Sequence, residues 1–234
     1  MIEKKRSRVA LYGHLTYDTV FDGVKKSERI GAMGNVYRAL KELEAPIAVE
    51  LEPTDIGEAI VLIDTINSRR TSIPHLNIHS KAPSIQKATW SHVMYLNELS
   101  NPDYVYDLPL DSIVSADISG ARPVDDFELL ECLDYLFIST EDLDSKLEYV
   151  EHVTGTVIAH SPDGCTTYTN RGNVKTYIDN ELVLKDINVL GAGDMFAAAF
   201  IEYKVSLPKG NLHDAIAYAQ KKTRYLLKKY NEES

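Results

Sequence analysis

Residues 189–200, Val189-Leu190-Gly191-Ala192-Gly193-Asp194-Met195-Phe196-Ala197-Ala198-Ala199-Phe200, set two glycines and a carboxylate directly ahead of a run of small and apolar residues. Glycines at 191 and 193 let the backbone approach a ligand closely and take up conformations other residues resist. If a helix begins here, its exposed N–H groups converge on one spot, an anion site backed by the helix dipole. Asp194 is then out of place, since a carboxylate repels an anion. It makes sense if it takes the proton from a hydroxyl that attacks a phosphoryl group. The plainer alternative is a tight strand-to-helix turn with Asp194 favoured in the first helical turn by the dipole. Spacing alone leaves both open.

Working outward, short apolar runs read as buried strands at Arg8–Gly13, Ala59–Asp64, His92–Asn97, Ser112–Ile118, Asp134–Ser139 and Thr156–Ser161. Helical spacing puts Val36, Leu40 and Leu43 on one face of the stretch from Asn35, and Leu143, Leu147 and Val150 on one face of that from Glu141. Two closing helices are expected, over Met195–Val205 and Asp214–Tyr230, the second with a basic end that suits its dipole. Strand and helix alternate, which predicts an α/β fold with a mainly parallel sheet. The alternation breaks between about residues 46 and 83, where strand-like runs and turn signals dominate. We read residues 1–234 as one domain with a β-rich lid at about 46–83. Asn35 is a candidate N-cap. Arg69 and Arg70 read as a solvated lid turn, with contact to a sugar phosphate as the alternative.

Composition narrows the partners. The chain has 234 residues and a formal net charge of −10. That argues against nucleic acid or an anionic membrane, both of which demand a basic surface. Two cysteines, Cys132 and Cys165, stand far apart in no metal-ligand spacing. The one H-x-x-x-H pair among the seven histidines, His75 and His79, falls in a strand-like run, where residues four apart are separated by ~13 Å rather than neighbours on one face. No protein-bound transition metal is expected. The basic opening leads into an apolar stretch of only about five residues, short of the ~7–15 of a signal core. Together with the cysteine usage this reads as a cytoplasmic protein.

The stretch Gly191–Phe200 resembles the C-terminal signature of the ribokinase-like (PfkB) carbohydrate kinases, D-T-x-G-A-G-D followed by a small, apolar helix. An independent match lies far upstream: Val9–Gly23 resembles the family's first strand, and Ile30–Pro46 its glycine-rich entry into an asparagine-bearing helix. The N-terminal motifs stand nearest to heptose-phosphate kinase-like branches. The resemblance implies a three-layer α/β/α fold with a small β lid. It implies ATP and Mg2+ as cofactors and a sugar-like acceptor, with Asp194 as catalytic base and Gly191, Ala192 and Gly193 as the anion hole. Asp18, Gly34 and Asn35 would hold acceptor hydroxyls, and Asn188, Ser139, Asp142 and Gly164 would lie beside the nucleotide. A homodimer through lid strands would cover their exposed edges.

The chain departs from this pattern at definite places. Asn188, Val189 and Leu190 replace D-T-x; Ser139 and Asp142 stand where the family has Asn and Glu; Pro162 replaces a glycine near the nucleotide. A few dozen residues between the first helix and the lid strands are missing. The rival expectation is therefore a degenerate member that binds nucleotide or sugar without turnover.

Overall fold

The structure is a computed structural model that describes residues 7–44, 46–119, 122–143, 148–169, 172–179, 181 and 183–233. Chain order is β1 (Ser7–Asp22), β2 (Lys25–Ala32), α1 (Met33–Glu42), β3 (Ile47–Asp64), β4 (Arg69–Ser80), β5 (Trp90–Met94), β6 (Ile113–Asp117), α2 (Glu128–Glu131), β7 (Tyr135–Ser139), α3 (Thr140–Leu143), α4 (Tyr149–His152), β8 (Thr156–Ser161), β9 (Gly164–Thr169), β10 (Val174–Ile178), α5 (Ala192–Ser206) and α6 (Leu212–Glu232). The strands join in the order β10-β9-β8-β7-β6-β5-β1-β3-β4, with β2 also on β1. All pairs from β3 through β1, β5, β6, β7 to β8 are parallel; the antiparallel pairs lie at the two ends and at β2.

Alternation along the strands sorts side chains into two cores, as a sheet covered on both faces requires. Val9 and Leu11 of β1, Trp90 and Met94 around β5, Phe137 and Ile158 face the layer of α1, α5 and α6. Ala10, Tyr12, Val93, Val114, Leu136 and Val157 face the opposite layer. That second layer is thin, built from the one-turn helices α2, α3 and α4 and from 3-10 turns around Leu96 and Tyr104. The single helix expected from Glu141 is two short ones; Leu147 lies outside the described residues.

Helix α5 is buried on nearly every side, including Ala197, Ala198 and Ala199. A helix apolar all round belongs in the middle of a layer, and α5 lies between α1 and α6. Its alanines let these neighbours come close, while Phe200 turns edge-on to Trp90 and Phe137. Each large side chain so buried contributes about 1.5–3 kcal/mol.

Strand β1 does not stop at the edge of the main sheet. Its first half pairs with β5 and β3, and its second half with β2 and β3. The register shifts between Gly13 and His14, where β1 bends away from the main sheet. The second halves of β1 and β3, with β2 and β4, thus form a four-stranded extension. Residues 14–32 belong to it as much as residues 55–80. Its inner face carries Thr16, Asp18 and Val20, all buried, while Tyr17 and Ile30 point outward.

Candidate active site

The inner face of the extension meets the start of α5, and here the motif residues come together. Asp194, in the first turn of α5, is only 4% exposed. Asn35 Nδ2 donates to its Oδ2 at 2.6 Å, and the Tyr95 hydroxyl donates to its Oδ1 at 3.2 Å. Asn35 is not an N-cap. Helix α1 begins two residues earlier, at Met33, because Ala32 takes the left-handed φ of 47° that starts it. Asn35 therefore sits in the first turn, with its amide across a gap of 159 residues from its partner carboxylate. Gly191 is required here twice over: its φ is 82°, and a Cβ there would meet the Asn35 side chain at 3.2 Å.

Asp18 reaches the same place from the middle of β1, not from a strand end. It pairs across the ladder with Arg29 of β2, so both side chains share the inner face. Thr16 Oγ1 donates to Asp18 Oδ1 at 2.6 Å. A Cβ at Gly31 would collide with the Asp18 carboxylate. Arg29 in turn donates from Nη2 to Asn35 Oδ1 at 3.1 Å. Asp18, Arg29, Asn35 and Asp194 thus form one polar row. Gly34 lies outside the row; a Cβ there would run into the Ile30 side chain.

Sequence reasoning missed several members of this cluster. Tyr95 follows β5 in a left-handed conformation (φ 51°), and its backbone N–H donates to the carboxylate of Asp117 at the end of β6. Asp117 is buried and close enough to raise its own proton affinity against Asp194. Burial, then the Asp194 charge, pushes the Asp117 carboxyl well above the ordinary range. Asp194 is raised too, by burial, while Asn35, Arg70, Tyr95 and Arg29 pull it back. Buried Glu98 adds a third carboxylate behind Tyr95.

The residues expected beside a nucleotide are more dispersed. The Ala192 N–H donates to the Val189 carbonyl, whereas those of Gly193 and Asp194 have no acceptor within their own helix. Ser139 ends β7 in register with His160. The His160 ring stacks on Phe196, its Cε1 3.3 Å from where a Gly193 Cβ would be. Asp142 lies on α3, the turn after β7. Asn188 is bound by the last helix: its N–H donates to Asn231 Oδ1 at 2.8 Å, and its carbonyl accepts from Asn231 Nδ2 at 3.0 Å. Gly164 has a packing reason, since a Cβ there would strike the Tyr177 backbone of β10. Leu190 packs against Val20 and Val61 of the extension.

Among the described residues no three acidic, histidine or cysteine side chains converge as a metal cage. None of their helices is long and apolar enough to cross a membrane.

Burial holds His92 at about 3 and His160 at about 4, against about 6.5 for an unfolded histidine. A folded value below the unfolded one gives stability that is complete above about pH 6.5 and lost as pH falls toward the folded value. Asp117 and Asp194, being raised, act with the opposite slope. Comparing wild type with His160→Gln cancels those terms. The variant is expected to lose stability less steeply than wild type between about pH 6.5 and 4, read as Tm against pH; parallel curves would mean the ring is solvated.

No family model matches the sequence, and no curated protein matches it significantly. Solved structures do match. The ribokinase of Cryptococcus neoformans var. grubii serotype A, in complex with ADP, aligns over 92% of this chain and 91% of its own, with TM-score 0.67 and 15% identity. The fructokinase of Vibrio cholerae O395, bound to fructose, ADP and calcium, aligns over 92% and 90%, with TM-score 0.63 and 18% identity. A pyrophosphate-dependent kinase of the ribokinase family, in a sulfate complex, aligns over 94% and 95%, with TM-score 0.62 and 14% identity. The mainly parallel sheet between two helical layers, with its β extension over the start of α5, is the fold of the ribokinase-family kinases.

Proposed function

We propose that the protein transfers the γ-phosphoryl group of ATP to a hydroxyl of a sugar-like acceptor, with Asp194 as general base. The single observation behind this reading is the row Asp18–Arg29–Asn35–Asp194, which joins the acceptor-side motif to the glycine turn at the start of α5. Phosphoryl transfer needs positioning and charge neutralisation more than covalent chemistry. Asp18 and Asn35 orient the acceptor. Asn35 and Tyr95 hold the two oxygens of Asp194, fixing which lone pair faces the attacking hydroxyl. The N–H groups of Gly193 and Asp194 meet the transferred group's oxygens.

ATP would supply the phosphoryl group, held by the Gly191–Gly193 turn, with Asn188, Ser139 and Asp142 the residues proposed to meet its nucleotide. Among the described residues no protein cage forms for magnesium, so the phosphates themselves would carry it. A second copy of the chain is the proposed cover for the outer face of the extension, where Tyr17, Ile30, Leu62 and Ile73 are exposed.

One observation favours the rival reading of a binder without turnover. Leu190 takes the third position of the motif and fills an apolar contact with Val20 and Val61. The paired experiment is turnover with a panel of sugars and sugar phosphates, and nucleotide binding by calorimetry. Binding with no turnover supports the rival, and absence of both removes the kinase. For the kinase, activity should fall on the acid side with a midpoint above the ordinary aspartate value of about 3.9, because burial raises Asp194 and the base must be ionised. A rate unchanged down to pH 4 would contradict a buried base.

A further inference from the structure

We propose that Arg29 is the phosphoryl-binding cation of this site, a donor to the oxygens of the group in transit as well as a brace for Asn35. Its catalytic part rests on the phosphoryl-transfer reading; its anion-binding part stands without it.

The geometry is specific. Arg29 stands on the inner face of β2, directly across from Asp18. One Nη donates to Asn35, whose other end holds Asp194. The Nε–H is buried with no hydrogen-bond partner. A buried donor left unmade costs about 1–3 kcal/mol, and a guanidinium offers its Nε–H and an Nη–H as one flat fork suited to two oxygens of a phosphoryl group. The fork here is half used. An arriving oxyanion would satisfy the orphan donor without disturbing the bond to Asn35.

Charge leads to the same residue. Asp18, Asp117 and Asp194 bring three carboxylates to a place where a polyanion must react. Arg70 and, less strongly, Arg29 are cations that lower the Asp194 proton affinity. Arg70 is exposed on β4 and donates to Ser72 at 3.1 Å. Arg29 is the one built into the cluster. Burial lowers its proton affinity and the Asp18 and Asp194 charges restore it, so the cation persists where the field of an arriving phosphoryl group is least screened. With a glycine turn short of its usual polar residues, Asn188-Val189-Leu190, a side-chain cation is what offsets the carboxylates.

In the reaction the acceptor oxygen forms its bond to phosphorus and gives its proton to Asp194. The bond from phosphorus to the donor's bridging oxygen breaks, and that electron pair leaves with the donor. Arg29 exchanges no proton and forms no covalent bond; it meets the charge on the non-bridging oxygens, as preorganised donors do.

The test begins with inorganic pyrophosphate alone, titrated by calorimetry into wild type, Arg29→Gln, Arg29→Lys and Arg69→Gln. Glutamine keeps a polar amide but brings no charge and ends two bonds short of the Nη that reaches Asn35; lysine keeps the charge but not the fork. Wild type is expected to bind, Arg29→Gln to bind at least about tenfold more weakly, as loss of a charge-assisted pair implies, and Arg29→Lys to fall between. Arg69→Gln, on the exposed turn of the extension, should bind like wild type. Equal binding by wild type and Arg29→Gln, or none by wild type, overturns the proposal. If Arg29→Gln fails to fold, judged by its thermal transition, Arg29→Lys carries the same comparison. With an active acceptor, kcat of Arg29→Gln should drop about 10²- to 10³-fold, the acceptor KM changing little. A raised acceptor KM with kcat intact would put the guanidinium on an anion of the acceptor instead and overturn the assignment. Arg29-dependent pyrophosphate binding with no turnover of any acceptor would leave the anion site standing and remove the kinase reading alone.

Discussion

Asp194→Asn is expected to abolish turnover while leaving the fold and nucleotide affinity nearly intact. A well-placed general base contributes about 10²- to 10⁴-fold, and asparagine cannot accept the proton. Its shape is preserved, and its Oδ1 can still accept one of the two hydrogen bonds that Asn35 and Tyr95 now give. Its amide nitrogen, though, would face the donor it replaces as an acceptor, so Asn35 or Tyr95 must turn. Loss of a buried, raised carboxylate offsets part of that penalty, because Asp194 is held charged against its burial. A Tm within a few degrees of wild type is therefore the expected companion result. The loss should fall on kcat, with the donor affinity unchanged or slightly tighter, since the phosphates meet less repulsion. Turnover equal to wild type would dismiss Asp194 as the base.

Gly13→Ala is expected to cause a large loss of stability. Gly13 has φ 103°, and a Cβ there would lie 2.5 Å from the Met94 carbonyl oxygen and 3.0 Å from the Met94 nitrogen. Those are backbone atoms of β5, which cannot swing aside as a side chain can. The conformational strain of about 1–3 kcal/mol and overpacking of about the same size add, since one atom causes both. Chemical denaturation should show a drop of about 2–6 kcal/mol. The damage should also reach the site, because Tyr95 follows Met94 and holds Asp194. A Gly13→Ala protein as stable as wild type would mean that the bulge is not where β1 turns.

Much of the main sheet was legible in the sequence, because buried parallel strands read as short apolar runs; five of the six predicted runs lie in it, while Ala59–Asp64 falls in the second half of β3, inside the extension. Helices α1 and α5 were legible for the same kind of reason, a stripe at helical spacing and a run of small residues. The glycine turn announced itself through Gly191 and Asp194. What escaped has a physical cause in each case. Tyr95, Asp117 and Arg29 come singly from strand ends and from β2, and one polar residue at such a place looks like any solvated one. The inner face of β1 did carry a signal: His14, Thr16, Asp18 and Val20 alternate with outward residues and are all buried. That pattern is polar, so it does not read as a core strand. Asn35 looked like a cap because nothing in Ala32-Met33-Gly34 marks the left-handed alanine that starts the helix early.

The passage of β1 and β3 from the main sheet into the extension has a mechanical consequence. A flap joined by loops pivots freely, because a few backbone torsions absorb the motion. Here two paired strands cross the boundary side by side, with Gly13 set against Pro53, a residue that gives the ladder no N–H. Any displacement of the extension must flex both strands together at that line of weakness, about a single axis, and the ladder on either side resists it elastically. The extension is thus a leaf spring clamped at one end, and Asp18 and Arg29, carried near its middle, keep a fixed spacing to each other however far it bends.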